Sequence, residues 1–444
     1  MLARFTSLLI LLVPFPAWAQ VAPGASGGGM SGGDDQMMVP APASGEAYSK
    51  STGLETRSNY FLAGIYVDSA YLSNLFPSQT SAPVNDTTFS FVPNFQLERS
   101  TSRQKESLSY SPSFVIYAPT TVLDSVNQNA SVDFSDRLSP AFTFSAEDTF
   151  FRTSNVFDQS STFSQGGVTG STATPAAGLI IPFAEQLSNT AKASLTYQFG
   201  RNGMIGGGGS YLTSDFPDTS SSAAGISNSR VVGADLFYNR RLSKAQYFGL
   251  SYQYTQTVAK VINQQSTTQS NGLLPYYAYY FGPTVSVSVS VGVERVDIAL
   301  PQSQTFTSWS PEGVVSAGWQ SERVSVAGSY YRAVTSGQGL FGAFTVNGAN
   351  ATGTWQMAQT WSMVLSTSYT TSSNVTPLLS LYSGGTTISG QASISHAFSE
   401  RFNMNFGYDR LQQDYPGINV ITESPDNNEV FARFSYQFTK PLGR

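Results

Sequence analysis

From Thr284 to Glu294 the chain alternates strictly. Val285, Val287, Val289, Val291 and Val293 fall on one side, and Ser286, Ser288, Ser290, Gly292 and Glu294 on the other. Phe402, Met404, Phe406 and Tyr408 alternate in the same way with Asn403, Asn405, Gly407 and Asp409. Trp361, Met363, Leu365, Thr367 and Tyr369 alternate mainly with serines. A final segment sets Val430, Ala432, Phe434, Tyr436 and Phe438 against Phe431, Arg433, Ser435 and Gln437. Successive side chains of an extended strand point to opposite faces, so a period of two predicts half-buried strands. Helical spacing is found nowhere convincingly.

Short turn signals punctuate this pattern near positions 101, 139, 201, 243, 282, 321, 358 and 399. Their spacing is about 40 residues, apart from 62 between 139 and 201. Each unit then holds two strands of about 11 residues, one longer loop and one tight turn, and transmembrane β-barrels are built in this way. Counting from Arg57 gives nine units, hence an all-β, transmembrane, antiparallel up-and-down β-barrel of about 18 strands, with 16 as the alternative. A soluble propeller also repeats near 40 residues, but its units hold four short strands. Closure further meets the demand that every backbone group in lipid be paired. The tight turns are expected to face the periplasm and the longer loops the outside.

Composition places this barrel in a compartment. Only 11% of the 444 residues are charged while 13% are aromatic, and the net charge is −5. That balance, without any Lys/Arg block, excludes nucleic acid as a partner. The chain has no Cys and one His, which removes disulfides, thiolate chemistry and His-clustered metal sites. Arg4, the apolar run Leu8–Val13 and Ala17-Trp18-Ala19 read as a cleaved secretory signal peptide over 1–19. Residues 20–56 are Gly/Ser/Pro-rich and read as a flexible periplasmic linker. The barrel is expected over 57–438 and a short tail over 439–444.

The stretch from Leu75 to Asn155 adds a resemblance. Tyr110-Ser111-Pro112-Ser113, then Arg137-Leu138-Ser139-Pro140, then Ser145-Ala146-Glu147-Asp148-Thr149-Phe150 follow one another. This progression resembles an outer-membrane β-barrel porin family associated with exopolysaccharide and capsule systems of Gram-negative bacteria, and covers about a quarter of the chain. The resemblance implies residence in the outer membrane, contact with its lipids and with the barrel-assembly machinery, and a role near polysaccharide-export components. It supplies no catalytic residues and no cofactor. Outer-membrane barrels commonly end on an aromatic strand residue that the assembly machinery reads; Phe438 stands in that role, with 439–444 as a departure from the pattern.

Function must then lie in the lumen or the loops. The expected lumen face is rich in Ser, Thr, Asn, Gln and Gly. Its sparse charges are Asp133, Glu147, Lys192, Asp235, Glu294, Asp409 and Arg433. Such a lining suits neutral or sugar-like solutes and predicts a porin-like channel without enzyme activity. A surface barrel with a filled lumen, acting as a structural or adhesive element, is the alternative. An outer-membrane hydrolase would require His396, which the alternation places with Ile394 and Phe398 on the apolar face. Gly203 and Gly206–Gly209 imitate a phosphate loop, but no helix follows, so they read as a bent or tapered strand. Glu423, Asp426 and Glu429 lack the spacing of a calcium loop. About 23 extra residues fall between the fifth and sixth strands, near 154–187, and carry an apolar cluster at Leu179–Phe183. Such a loop is expected to fold into the lumen as a constriction, with Asp158 and Glu185 near the narrow point.

Overall fold

The computed structural model describes residues 59–73, 85–118, 120–154, 185–200, 202–217, 227–261, 264–282, 284–300, 305–336, 343–375, 384–399, 401–415 and 426–442. The first strands are β1 (Tyr60–Ser73), β2 (Asp86–Ser100), β3 (Gln104–Ala118), β4 (Ser125–Asp136), β5 (Phe142–Thr153) and β6 (Gln186–Phe199). Next come β7 (Gly203–Asp215), β8 (Asn228–Arg241), β9 (Gln246–Val261), β10 (Gln264–Tyr280), β11 (Val285–Ala299) and β12 (Thr305–Gln320). The last are β13 (Val324–Ser336), β14 (Ala343–Ala358), β15 (Trp361–Asn374), β16 (Gly384–Ala397), β17 (Phe402–Asp414) and β18 (Asp426–Pro441). Each strand pairs antiparallel with its sequence neighbours, and β1 also pairs with β18, so the 18-stranded sheet closes on itself.

All eight turn signals read from the sequence fall between an even-numbered strand and the next odd one, from β2–β3 to β16–β17. Their hydroxyls fasten them: Ser139 Oγ accepts Phe142 N–H, Ser321 Oγ accepts Val324 N–H and Ser399 Oγ accepts Phe402 N–H. Tyr60 pairs with Pro441, which brings the start of β1 and the end of β18 to this same end of the barrel. Strand β18 therefore continues through Thr439–Pro441, beyond the expected last strand residue Phe438. The segments 1–19 and 20–56 lie outside the described residues. A Cys introduced at Ser399 is expected to resist membrane-impermeant maleimide in intact cells and to react after the outer membrane is permeabilised. Labelling in intact cells would reverse the orientation.

The alternation sorts the faces as expected. Val289, Phe406, Leu365 and Phe434 are exposed on the outside, while Ser290, Ser316 and Ser435 are buried on the inside. At the tight-turn end the outer face carries touching aromatics, among them Phe142–Tyr197 with ring centroids 4.5 Å apart and Phe398–Phe402 at 5.4 Å. At the loop end it carries cross-strand polar pairs. Tyr408 donates its hydroxyl to Asn428 at 2.6 Å, Tyr252 to Asn271 at 2.8 Å, and Arg410 meets Asp426 at 2.8 Å. An apolar band between an aromatic girdle and a polar collar is the outer surface that a bilayer requires. The strands have 12 to 17 residues rather than the expected 11 or so. The surplus residues belong to the loop-end collar, beyond the length that hydrocarbon demands.

Candidate functional site

Cross-strand register decides which inward residues meet. Ser107, Asp133, Glu147 and Lys192 are direct neighbours across β3, β4, β5 and β6. Lys192 Nζ lies 3.8 Å from Glu147 Oε2. Asp133 is exposed and Glu147 partly so, which makes this stretch of wall accessible to lumen water. A second row crosses β8 to β11 as Asp235, Gln253, Gly272 and Glu294. Among the described residues, neither of the buried carboxylate oxygens of Asp235 has a hydrogen-bond partner. A third group sits at the closing seam, where Arg433 of β18 meets Asp68 of β1 at 2.8 Å. On β17, Asp409 Oδ2 accepts the Gln391 amide at 3.5 Å. The seven residues singled out in the sequence thus share the inner face but divide into separate groups. Asp68 and Glu312 join them there, and both escaped the sequence reading. With these two included, carboxylates outnumber Lys105, Lys192 and Arg433, so the described wall is net acidic rather than neutral.

The upper part of β11 departs from the polar-inside rule. Val296 and Ile298 occupy inward positions in continuation of Ser290, Gly292 and Glu294, yet both are fully buried. They form one cluster with Leu300, Val334 and Ala343, and Phe306 and Val375 pack against it. Val334 of β13 follows the outward residues Tyr330 and Arg332 in alternation, so its outer face rests on the inner face of β11. The β12–β13 ladder explains how. It joins Gly313–Gln320 to Ser325–Arg332 and stops there, while β12 stays paired with β11 up to Thr305. Pro311, which has no N–H to donate, sits just past the last rung. Above that point β13 and β14 lean inside the wall and stack a second sheet layer on it. Val334 N–H donates to Glu294 Oε2 at 3.2 Å, which pins this tip to the wall below.

The tip was missed because the sequence reading of β11 ended at Glu294. Val296 and Ile298, two apolar residues in succession on a nominally wet face, were the available signal. The loop expected to constrict the lumen falls mostly on residues 155–184, outside the described residues, and Asp158 lies with it. Glu185 is described: it is held by Arg152, whose Nε reaches its Oε1 at 2.7 Å and which falls on the same outward face as Phe150 and Phe142.

The remaining candidates resolve locally. His396 lies on the outer face, with its ring centroid 4.3 Å from that of Trp361 and 4.4 Å from that of Phe398. It belongs to the aromatic girdle. Asp426 binds Arg410 outside the barrel while Glu429 is buried on the inward face, so the two point apart; Glu423 lies outside the described residues. Gly206 and Gly208 face inward on β7. A β-carbon at Gly206 would stand 2.5 Å from the Phe237 ring, and one at Gly208 3.0 Å from Asp235 Oδ1. These glycines clear the wall so that the neighbouring strand's larger side chains can lie flat across it.

No protein-family model matches the chain, and no curated protein matches it. Among solved structures it is similar to OccK2 (OpdF) of Pseudomonas aeruginosa, a structure in complex with glucuronate. That match has 9% identity and a TM-score of 0.45, over 86% of this chain and all of that one. It is also similar to OccAB4 of Acinetobacter baumannii, with 9% identity and a TM-score of 0.43 over 86% of this chain and 99% of that one. The FrpB iron transporter of Neisseria meningitidis (F3-3 variant) aligns at 10% identity and a TM-score of 0.42, over 86% and 82%.

Proposed function

We propose that the chain is an outer-membrane channel through which small water-soluble solutes diffuse, with neutral and cationic solutes favoured over anions. The observation that carries this reading is the closed 18-stranded barrel whose described inner wall is polar and net acidic, with the β3–β6 stretch open to lumen water. Barrels of this strand number are wide enough for an aqueous path. Rings of carboxylates raise the local concentration of cations and repel anions. Sugar-like solutes fit the hydroxyl-rich lining as far as neutrality goes. An association with exopolysaccharide export rests on the sequence resemblance alone.

In planar bilayers the purified protein is expected to give stable open steps with a cation-over-anion preference. Asp133→Asn combined with Glu147→Gln should lower that preference and leave the steps themselves in place. A second reading, the filled structural barrel, is favoured by the inserted tip and the buried inner face of β11. Complete absence of conducting steps would establish it and discard the channel.

A further inference from the structure

The two ends of the outer surface treat charge differently. At the loop end Arg152, Arg295 and Arg410 each meet a carboxylate, Glu185, Asp297 and Asp426. At the tight-turn end Arg103, Arg240, Lys244, Arg323, Arg401 and Lys440 are exposed. The carboxylates beside them are Glu106, Asp136 and Glu322, and Glu106 already meets Arg99 at 3.9 Å. Among the described residues no acidic side chain is in ion-pair contact with any of the six cations. The described rim is therefore net positive, although the chain as a whole carries −5.

Apolar side chains stand beside these cations. Leu138 follows Arg137, Leu242 lies two residues before Lys244, and Phe398 lies three before Arg401. All three are exposed. Arg240 and Lys440 are direct cross-strand neighbours of Phe248 and Phe61. The charges are thus continuous with the aromatic girdle and face sideways as well as away from the barrel end. In water, exposing such apolar groups gains nothing. At a lipid boundary they enter the acyl region while the longer cationic side chains reach headgroup phosphates. A soluble acidic protein would meet the turn tips end on and leave Arg240 and Lys440 uncovered.

We propose that this rim is a docking surface for anionic phospholipid headgroups in the leaflet that the tight turns face. An arginine fork holds two phosphate oxygens at once, and lysine supplies a point charge. Basic clusters at a membrane surface attract anionic lipid in this way and lose their hold as salt screens them. The inference rests on the barrel lying in a bilayer and is independent of whether its lumen conducts.

The chain carries its own reporters at this end. Trp319 and Trp355 flank the Arg323 turn, and Trp361 touches His396, five residues before Arg401. The protein, with Trp18→Phe and Trp309→Phe, is refolded into phosphatidylcholine vesicles containing either brominated phosphatidylglycerol or brominated phosphatidylcholine. Both leaflets hold the same lipid, so the reading does not depend on which way the barrel inserts. Brominated phosphatidylglycerol is expected to quench the tryptophans at a several-fold lower mole fraction, and high salt to erase the difference. Arg323→Gln with Arg401→Gln should bring the two quenching curves together, whereas Arg323→Lys with Arg401→Lys should keep them apart. Arg410→Gln, at the loop end, should leave the preference unchanged. Heat-modifiable migration on gels checks that each variant is folded. Equal quenching by the two lipids in folded protein that keeps the native rim overturns the proposal. A preference that ignores salt, or that survives in the folded double Gln variant, overturns it as well.

Discussion

Phe406→Arg is expected to cost about 2–4 kcal/mol of barrel stability, while the neighbouring Asn405→Arg costs little. The two residues are adjacent on β17, three and four positions past its first residue Phe402, and differ in face. Phe406 is exposed on the outer surface beside Ile394 and Ala432, its cross-strand neighbours. An arginine there must hold its charge in hydrocarbon or bend the bilayer around it. Asn405 points into the lumen, paired with Ser395 and with Arg433. A charge at that position faces the polar inner wall rather than hydrocarbon, and its effect belongs to ion selectivity. Reversible denaturant unfolding in lipid vesicles measures the difference. Equal losses from the two variants would mean that the face assignment is wrong for this strand, and a one-residue register slip would produce that result.

A second large effect is expected at the tip. Ile298 is 1% exposed and lies on the inner face of β11, within the cluster that holds Val334 and Ala343. Ile298→Ala should cost about 2–5 kcal/mol, because deleting methylene groups from a packed site loses their transfer free energy and leaves a cavity. Unlike Phe406→Arg, this variant should change the channel too. With its apolar seat reduced, the tip is held mainly by the Val334–Glu294 hydrogen bond, and single-channel conductance should rise and become noisier. If the inner face of β11 were open lumen, Ile298→Ala would be neutral to stability and silent in conductance. That outcome would remove the stacked layer from the description.

The sequence by itself determined the strands, their faces and their turns. Strand periodicity is local: whether Val289 or Ser288 faces lipid follows from one dihedral repeat and the apolar side's need for an apolar surround. Turn residues are local as well, so the signals at 139, 321 and 399 sit where serine hydroxyls cap the hairpins. Counting such units was enough to reach eighteen strands. Asp133, Glu147, Lys192, Asp235, Glu294, Asp409 and Arg433 were singled out as inward candidates on the same ground. Tertiary structure alone decided which of them meet. Glu147 and Lys192 lie 45 positions apart and Asp235 and Glu294 lie 59 apart, yet each pair shares a row because antiparallel register fixes the match. Asp68 and Arg433 meet only because the first strand closes on the last. The inserted tip depended most on long-range structure. One ladder ends beside Pro311, the freed ends of β13 and β14 find the apolar residues at 296 and 298, and a wall position that local alternation marks as wet becomes dry because a second sheet layer covers it.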